Sequence, residues 1–174
     1  ELKYEHNQAY ERIVALTVNS GFGSAFIDQG QVITDREDVP PDGLLGNCPY
    51  DQHSVADDWF STRGLINLYK KLLRSESPDD SSGTSSMTLA SDERQQYDDN
   101  LLITDTYLLR RASNGDAVAI KAFQLFARLL GQFLVPYIDA FRARLIIISG
   151  HIAQMWYLVE DELNLTIKKF SQVQ

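Results

Sequence analysis

The chain has 174 residues, of which 44% are apolar and 23% charged, with a formal net charge of -8. That is the composition of an ordinary globular domain long enough to bury a sizeable core. The acidic balance excludes an electropositive nucleic-acid surface, which needs clustered Lys and Arg. It leaves open nucleotide binding, which backbone N–H groups and a bound cation can perform.

Ile13–Val18 reads as a buried strand, Asn19–Ser24 as a turn, and Ala25–Asp28 as a second strand; after Gln29-Gly30, Gln31–Thr34 reads as a third. Short apolar strands with tight connections predict an antiparallel meander. Asp35–His53 contains Pro40, Pro41, Gly43, Gly46 and Pro49 and reads as loop. Trp59, Leu65, Leu68, Tyr69 and Leu72 fall near helical spacing and predict a helix over Val55–Leu73. Ser75–Asp99 is rich in Ser, Asp and Gly, so a mobile surface insertion is expected there, its acidic pairs Asp79-Asp80 and Asp98-Asp99 solvated.

Ile103–Arg111 is expected to be a short helix with Thr104 as N-cap, and Asn114-Gly115-Asp116 a break and cap. Ala117–Arg142 follows as a long helix that Pro136 should kink or divide. Its face of Phe123, Phe126, Leu130, Phe133 and Leu134 reads as core. In Arg144–Ile148 the apolar residues run without alternation, which suits a strand covered on both faces. After the turn Ser149-Gly150, a helix is expected over His151–Glu160, continuing through Phe170. The apolar residues Leu158, Leu163, Leu165, Ile167 and Phe170 of that last segment face either this domain's own core or an interface.

Cys48 is the single cysteine, so no internal disulfide is possible, and His6, His53 and His151 lie far apart, so no zinc is expected. The histidines read as surface or satisfied residues, with His53 the nearest to a ligand. Trp59 and Trp156 read as core or interface. No signal-peptide pattern opens the chain, and the apolar runs Phe133–Val135 and Leu145–Ile148 are too short to cross a bilayer. The expectation is a cytoplasmic protein with no membrane partner.

Two segments carry chemistry. In Asn19-Ser20-Gly21-Phe22-Gly23-Ser24, between strands, the glycines let the backbone approach a ligand closely. Successive N–H groups in such a turn can cradle an anion, and Ser20 adds a hydroxyl. The second segment is strand, Ser149-Gly150, helix start, where free N–H groups meet a positive dipole end. Spacing alone is also met by a plain hairpin and by any strand-to-helix connection.

Order along the chain adds more. Leu16–Gly30 resembles the second phosphate-binding segment of ROK sugar kinases: strand, Gly-Thr-Gly-Ile-Gly-Ser/Gly-Ala/Gly, strand, Gly turn. Asp57-Asp58-Trp59-Phe60-Ser61-Thr62-Arg63-Gly64-Leu65 is similar to the family's Glu-x-x-x-Ser-Gly-x-Gly-Leu. Ala112-Ser113-Asn114-Gly115-Asp116-Ala117-Val118-Ala119 is similar to its Ala-x-x-Gly-Asp-x-x-Ala before a long helix. Ile146-Ile147-Ile148-Ser149-Gly150-His151-Ile152 resembles its Ile-Val-Leu-Gly-Gly-Gly-Ile, which contacts adenosine.

The resemblance covers nearly the whole chain, read as a single domain over 1–174. It implies an α/β fold: an actin-like ATPase (ribonuclease H-like) lobe, with a mixed sheet led by an antiparallel meander and flanked by helices. It implies the C-terminal, nucleotide- and sugar-facing half of an ATP-dependent, glucokinase-like sugar kinase, with ATP and Mg as cofactors and a small-molecule sugar as substrate. Asn19, Ser20, Gly21 and Gly23 would face the nucleotide phosphates, Ser149 and Gly150 the adenosine, and Asp57 and Asn47 the sugar.

The departures point elsewhere. Leu44 and Asn47 stand where the family's Glu-x-Gly-His holds sugar hydroxyls, and the Cys-x-Cys-Gly-x-x-Gly-Cys zinc motif is absent. No Asp-x-Asp-x-Asn precedes the first strand, so no catalytic residue is assigned. A lone lobe is expected to be inactive and to meet a missing N-terminal lobe or a second copy of itself. The alternative is a catalytically silent, sugar-sensing module of the repressor type.

Overall fold

The computed structural model describes residues 11–76 and 103–171. Strand β1 (Arg12–Val18) pairs antiparallel with β2 (Phe22–Asp28), and β2 with β3 (Gln31–Ile33). The meander therefore forms as the sequence implies. The β2–β3 connection is Gln29-Gly30, whose φ values of 49° and 77° are what a two-residue hairpin turn needs to follow the strand twist. Strand β4 (Leu145–Gly150) lies parallel to β1 on its other side, giving the order β3-β2-β1-β4.

The helices are α1 (Ala56–Phe60), α2 (Thr62–Glu76), α3 (Asp105–Ser113), α4 (Ala117–Phe141) and α5 (Trp156–Phe170). One face of the sheet carries Val14, Leu16, Val18, Phe22 and Phe26, all buried. Helix α4 covers it, with Phe141 edge-on to Phe26 at 5.1 Å and Phe133 to Phe22 at 6.4 Å. Phe60 of α1 fills the corner between Phe22 and Phe126. Helix α5 crosses α4 at Gly131, where a Cβ would stand 2.9 Å from the Thr166 side chain. By length and composition α4 could cross a membrane, and its longest apolar run understated this. Here its apolar face is core: Phe123, Phe126, Leu130, Leu134 and Ile138 are buried.

Several boundaries differ from the expectation. The helix read over Val55–Leu73 is two helices, broken at Ser61, which is extended (φ -98°, ψ 171°). The Ser61 carbonyl receives the Leu65 N–H and its hydroxyl the Gly64 N–H, so Ser61 caps α2. At Gly64 any Cβ would collide with the Trp59 carbonyl, so the two helices pack through backbone. Helix α2 also includes Ser75 and Glu76, which the sequence assigned to the insertion; residues 77–99 lie outside the described residues. Pro136 does not divide α4, which runs unbroken for 25 residues. Thr104 does cap α3, accepting the Tyr107 N–H, and Asp116 caps α4, accepting the Ala119 N–H.

Strand β4 is not covered on both faces: Ile147 is 44% exposed, and Ile13 and Ala15 beside it on β1 are only partly buried. An unbroken apolar run marks two-sided burial only where helices lie on both sides, and the buried strand residues described here all face α4. At the far end of β1, Arg12 and Arg36 clasp Asp28 and Asp38 beside the Phe141 ring. The Arg36 hydrogen bond holds the Asp38 carboxyl below its usual range.

Candidate functional site

Because β1 and β4 run parallel with Val18 opposite Gly150, the turns that follow both strands leave the same edge of the sheet. The carboxyl ends of parallel strands are where open α/β sheets hold ligands. The first turn is shorter than the sequence suggested. It is the three residues Asn19–Gly21, because β2 begins at Phe22 rather than Ala25. Gly23 consequently lies inside β2, opposite Thr17, and its added Cβ would meet only ordinary contact.

Asn19 ties the site together. Its Oδ1 accepts the His151 N–H at 2.8 Å, and its carbonyl accepts the Thr62 N–H at 2.7 Å. The side chain thus joins the first turn to the turn after β4, which explains an Asn at this position, while its backbone carbonyl holds the start of α2. Gly150 has φ 90°, and a Cβ there would lie 2.5 Å from the Val18 carbonyl and 2.6 Å from Asn19 Oδ1. Only glycine admits that approach. Ser20 is exposed, and no hydrogen bond to another described residue uses its hydroxyl, its N–H or the Gly21 N–H. These are the donors that an anion nest requires.

Ser149 uses its hydroxyl inside the sheet. Its hydroxyl donates to the Leu16 carbonyl at 2.9 Å, so the Thr17 hydroxyl, also 2.9 Å away, must be the donor toward it. The Ser149 side chain is used within the sheet, where the residue is paired with Thr17.

Asp57 sits beneath the first turn. Its Oδ1 accepts the Phe22 N–H at 2.6 Å, and its Oδ2 pairs with Arg63 at 3.1 Å. A Cβ on Gly21 would come 3.1 Å from Asp57 Oδ1, so the turn needs a small residue there. Gly46 packs so closely on the Phe22 carbonyl that a side chain could not fit, and it carries exposed Asn47 beside it. The segment is fixed by Ser24, whose Oγ accepts the Leu45 N–H and donates to the Gly43 carbonyl. Asn47 and Asp57 thus belong to segments that both converge on Phe22.

Two residues here were not found by sequence reasoning. Asp105, in the first turn of α3, meets His151 with Oδ2 2.7 Å from Nδ1. A small cavity behind the turns is lined by Val18, Ser61, Thr62, Asp105, His151 and Met155. His151 was legible only as the residue after Gly150, and nothing local pairs it with a residue 46 positions away. Cys48 is buried with its Sγ toward the Leu44 carbonyl, and His53 is exposed. Among the described residues no group of three or more His, Cys, Asp or Glu side chains is gathered to hold a metal ion. Near Cys48, burial and then the Cys48 hydrogen bond push the Tyr137 hydroxyl far above its usual range.

The fold, a mixed four-stranded sheet flanked by helices, is of the actin-like ATPase type. The sequence model of the ROK family matches residues 1–174, and the chain belongs to that family. Among solved structures it is similar to a ROK family transcriptional regulator, a homolog of the E. coli MLC protein, with TM-score 0.69 and 18% identity over 95% of this chain and 40% of that one. It is also similar to a ROK family glucokinase from Streptomyces griseus in complex with glucose and AMPPNP, with TM-score 0.68 and 15% identity over 96% of this chain and 54% of that one. A glucokinase from Parabacteroides distasonis gives TM-score 0.65 and 16% identity, over 92% and 39%. The chain therefore spans about half or less of the length of these proteins, and at such identities the likeness establishes the fold. Comparison with curated proteins gave no significant match.

Proposed function

We propose that this chain is the nucleotide- and sugar-facing half of an ATP-dependent sugar kinase. The observation that carries the reading is the Asn19 side chain. It joins two turns at the carboxyl ends of parallel strands and leaves the donors of Ser20 and Gly21 unused. Ser20 and Gly21 would hold phosphate oxygens through backbone N–H groups and the Ser20 hydroxyl. Asn19 would act by holding the turn, Gly23 from its place in β2 beside it, and Gly150 with Ser149 by admitting adenosine. MgATP would supply the phosphoryl group, its metal ion carried on the phosphates. Asp57 would share its carboxylate with a sugar hydroxyl, because such a group has about four acceptor positions and two are taken. Asn47 would offer its amide from the neighbouring segment.

A second reading, a sugar-sensing regulatory module, is favoured by the exposed Leu44 in the segment meant for sugar and by the Asp57–Arg63 pair. Calorimetric titration separates the two. The kinase-type reading expects Mg-AMPPNP to bind and Ser20→Glu, an exposed charge facing the phosphates, to abolish binding while leaving the melting temperature unchanged. Glucose binding without AMPPNP binding would favour the regulatory reading, and binding of neither overturns both.

A further inference from the structure

We propose that His151 and Asp105 form a ribose-recognition pair: Asp105 fixes the imidazole so that Nε2 faces the nucleotide as an acceptor for a ribose hydroxyl. This rests on the nucleotide reading above.

A carboxylate only accepts, so at 2.7 Å the proton between Asp105 Oδ2 and His151 belongs to Nδ1. In the neutral ring the lone pair is then on Nε2. His151 is held at its backbone and at its ring. The residue's backbone N–H is bonded to Asn19 Oδ1. Its Nδ1–H is bonded to Asp105, whose side chain is 19% exposed and anchored in the first turn of α3. Helix α3 is in turn capped by Thr104. The rest of the ring is open, the His151 side chain being 58% exposed. A partly buried carboxylate fixes an exposed imidazole one residue beyond the turn assigned to adenosine, and the imidazole edge away from that carboxylate is left to solvent.

The chemistry selects a hydroxyl over a phosphate. Phosphate oxygens are acceptors and would meet the Nε2 lone pair, whereas a ribose hydroxyl donates to it. The charge of Asp105 also opposes an anion there. Arg63, which pairs with Asp57 beneath the first turn, is committed to Asp57 and Asp58.

Calorimetry with ADP, 2′-deoxy-ADP and 3′-deoxy-ADP tests this on the full chain. The wild type should prefer ADP over one deoxy analogue by about tenfold, the value of one hydrogen bond. His151→Ala should bring the ratio within about twofold of unity while leaving the affinity for that deoxy analogue unchanged. Imidazole ¹⁵N shifts should report Nδ1–H in the wild type and a tautomer mixture in Asp105→Asn. An unchanged ribo-to-deoxy ratio in His151→Ala, or an equal loss for all three nucleotides, overturns the assignment and leaves the nucleotide reading standing. A wild type that binds none of the three removes the nucleotide reading, and this assignment with it.

Discussion

Gly150 has the least latitude of any residue at the site. Its φ of 90° is strained for any side chain, and a Cβ would overlap both the Val18 carbonyl and Asn19 Oδ1. Gly150→Ala must either displace Asn19, losing its bond to His151, or move β4 off β1. The expected cost is on the order of 2–4 kcal/mol, from backbone strain and a lost hydrogen bond together. Urea unfolding measures it, and a change below about 0.5 kcal/mol would show that the turn adapts freely. At this scale the sequence was legible where one residue type has one physical use. Ser20, Gly21 and Gly150 were readable as a hydroxyl and two close-approach positions. Ser149 and Gly23 were read in the same motifs, yet one hydroxyl is spent on Leu16 and the other residue lies in a strand. A motif records residue order, and hydrogen-bond partners depend on register. The Asp105–His151 pair was illegible because it is made only when α3 and β4 are brought together.

Elements were more readable than their ends. The meander, α3 with its Thr104 cap and α4 after Asp116 follow from alternation, capping chemistry and period. The break at Ser61 was hidden because the apolar period carries straight across it, and its causes are tertiary: Thr62 N–H goes to the Asn19 carbonyl and Gly64 packs on Trp59. The last helix was open between own core and interface. In the structure Val159, Leu163 and Thr166 of α5 are buried, with Thr166 against Gly131 of α4, while Leu165 and Phe170 are exposed. Truncation after Glu160 would strip Leu163, Thr166 and Ile167 from α4 and uncover its apolar face. Loss of one buried leucine alone costs about 2–5 kcal/mol, against a total stability of about 5–15 kcal/mol. The truncated chain should therefore show no cooperative thermal transition by circular dichroism. A truncated chain that melts cooperatively as a monomer would assign α5 to an interface instead.

For the whole molecule, on the kinase reading, the decisive quantity is how much of a cleft this chain supplies. Phosphoryl transfer is driven by positioning and by charge stabilisation around the transferred group, with a base within hydrogen-bond reach of the attacking hydroxyl. On the kinase reading, the edge described here would offer its donors to phosphates from one side only. Two carboxylates at this edge already hold partners, Asp57 the Phe22 N–H and Arg63, and Asp105 the His151 ring. Neither stands free as a base, and the chain spans 54% of the S. griseus glucokinase it resembles in fold. The expected outcome is that this chain, supplied with glucose and MgATP, forms no glucose-dependent ADP above background, against kinase turnover numbers of about 1–100 s⁻¹. A coupled assay run beside Ser20→Glu and Asp57→Ala controls decides the point, since contaminating kinases are indifferent to both substitutions. Turnover that both variants abolish would mean that one lobe, or two copies of it, assembles a working cleft. Activity should then rise with the square of protein concentration if a second copy supplies the opposite wall, and linearly if the base lies within this chain.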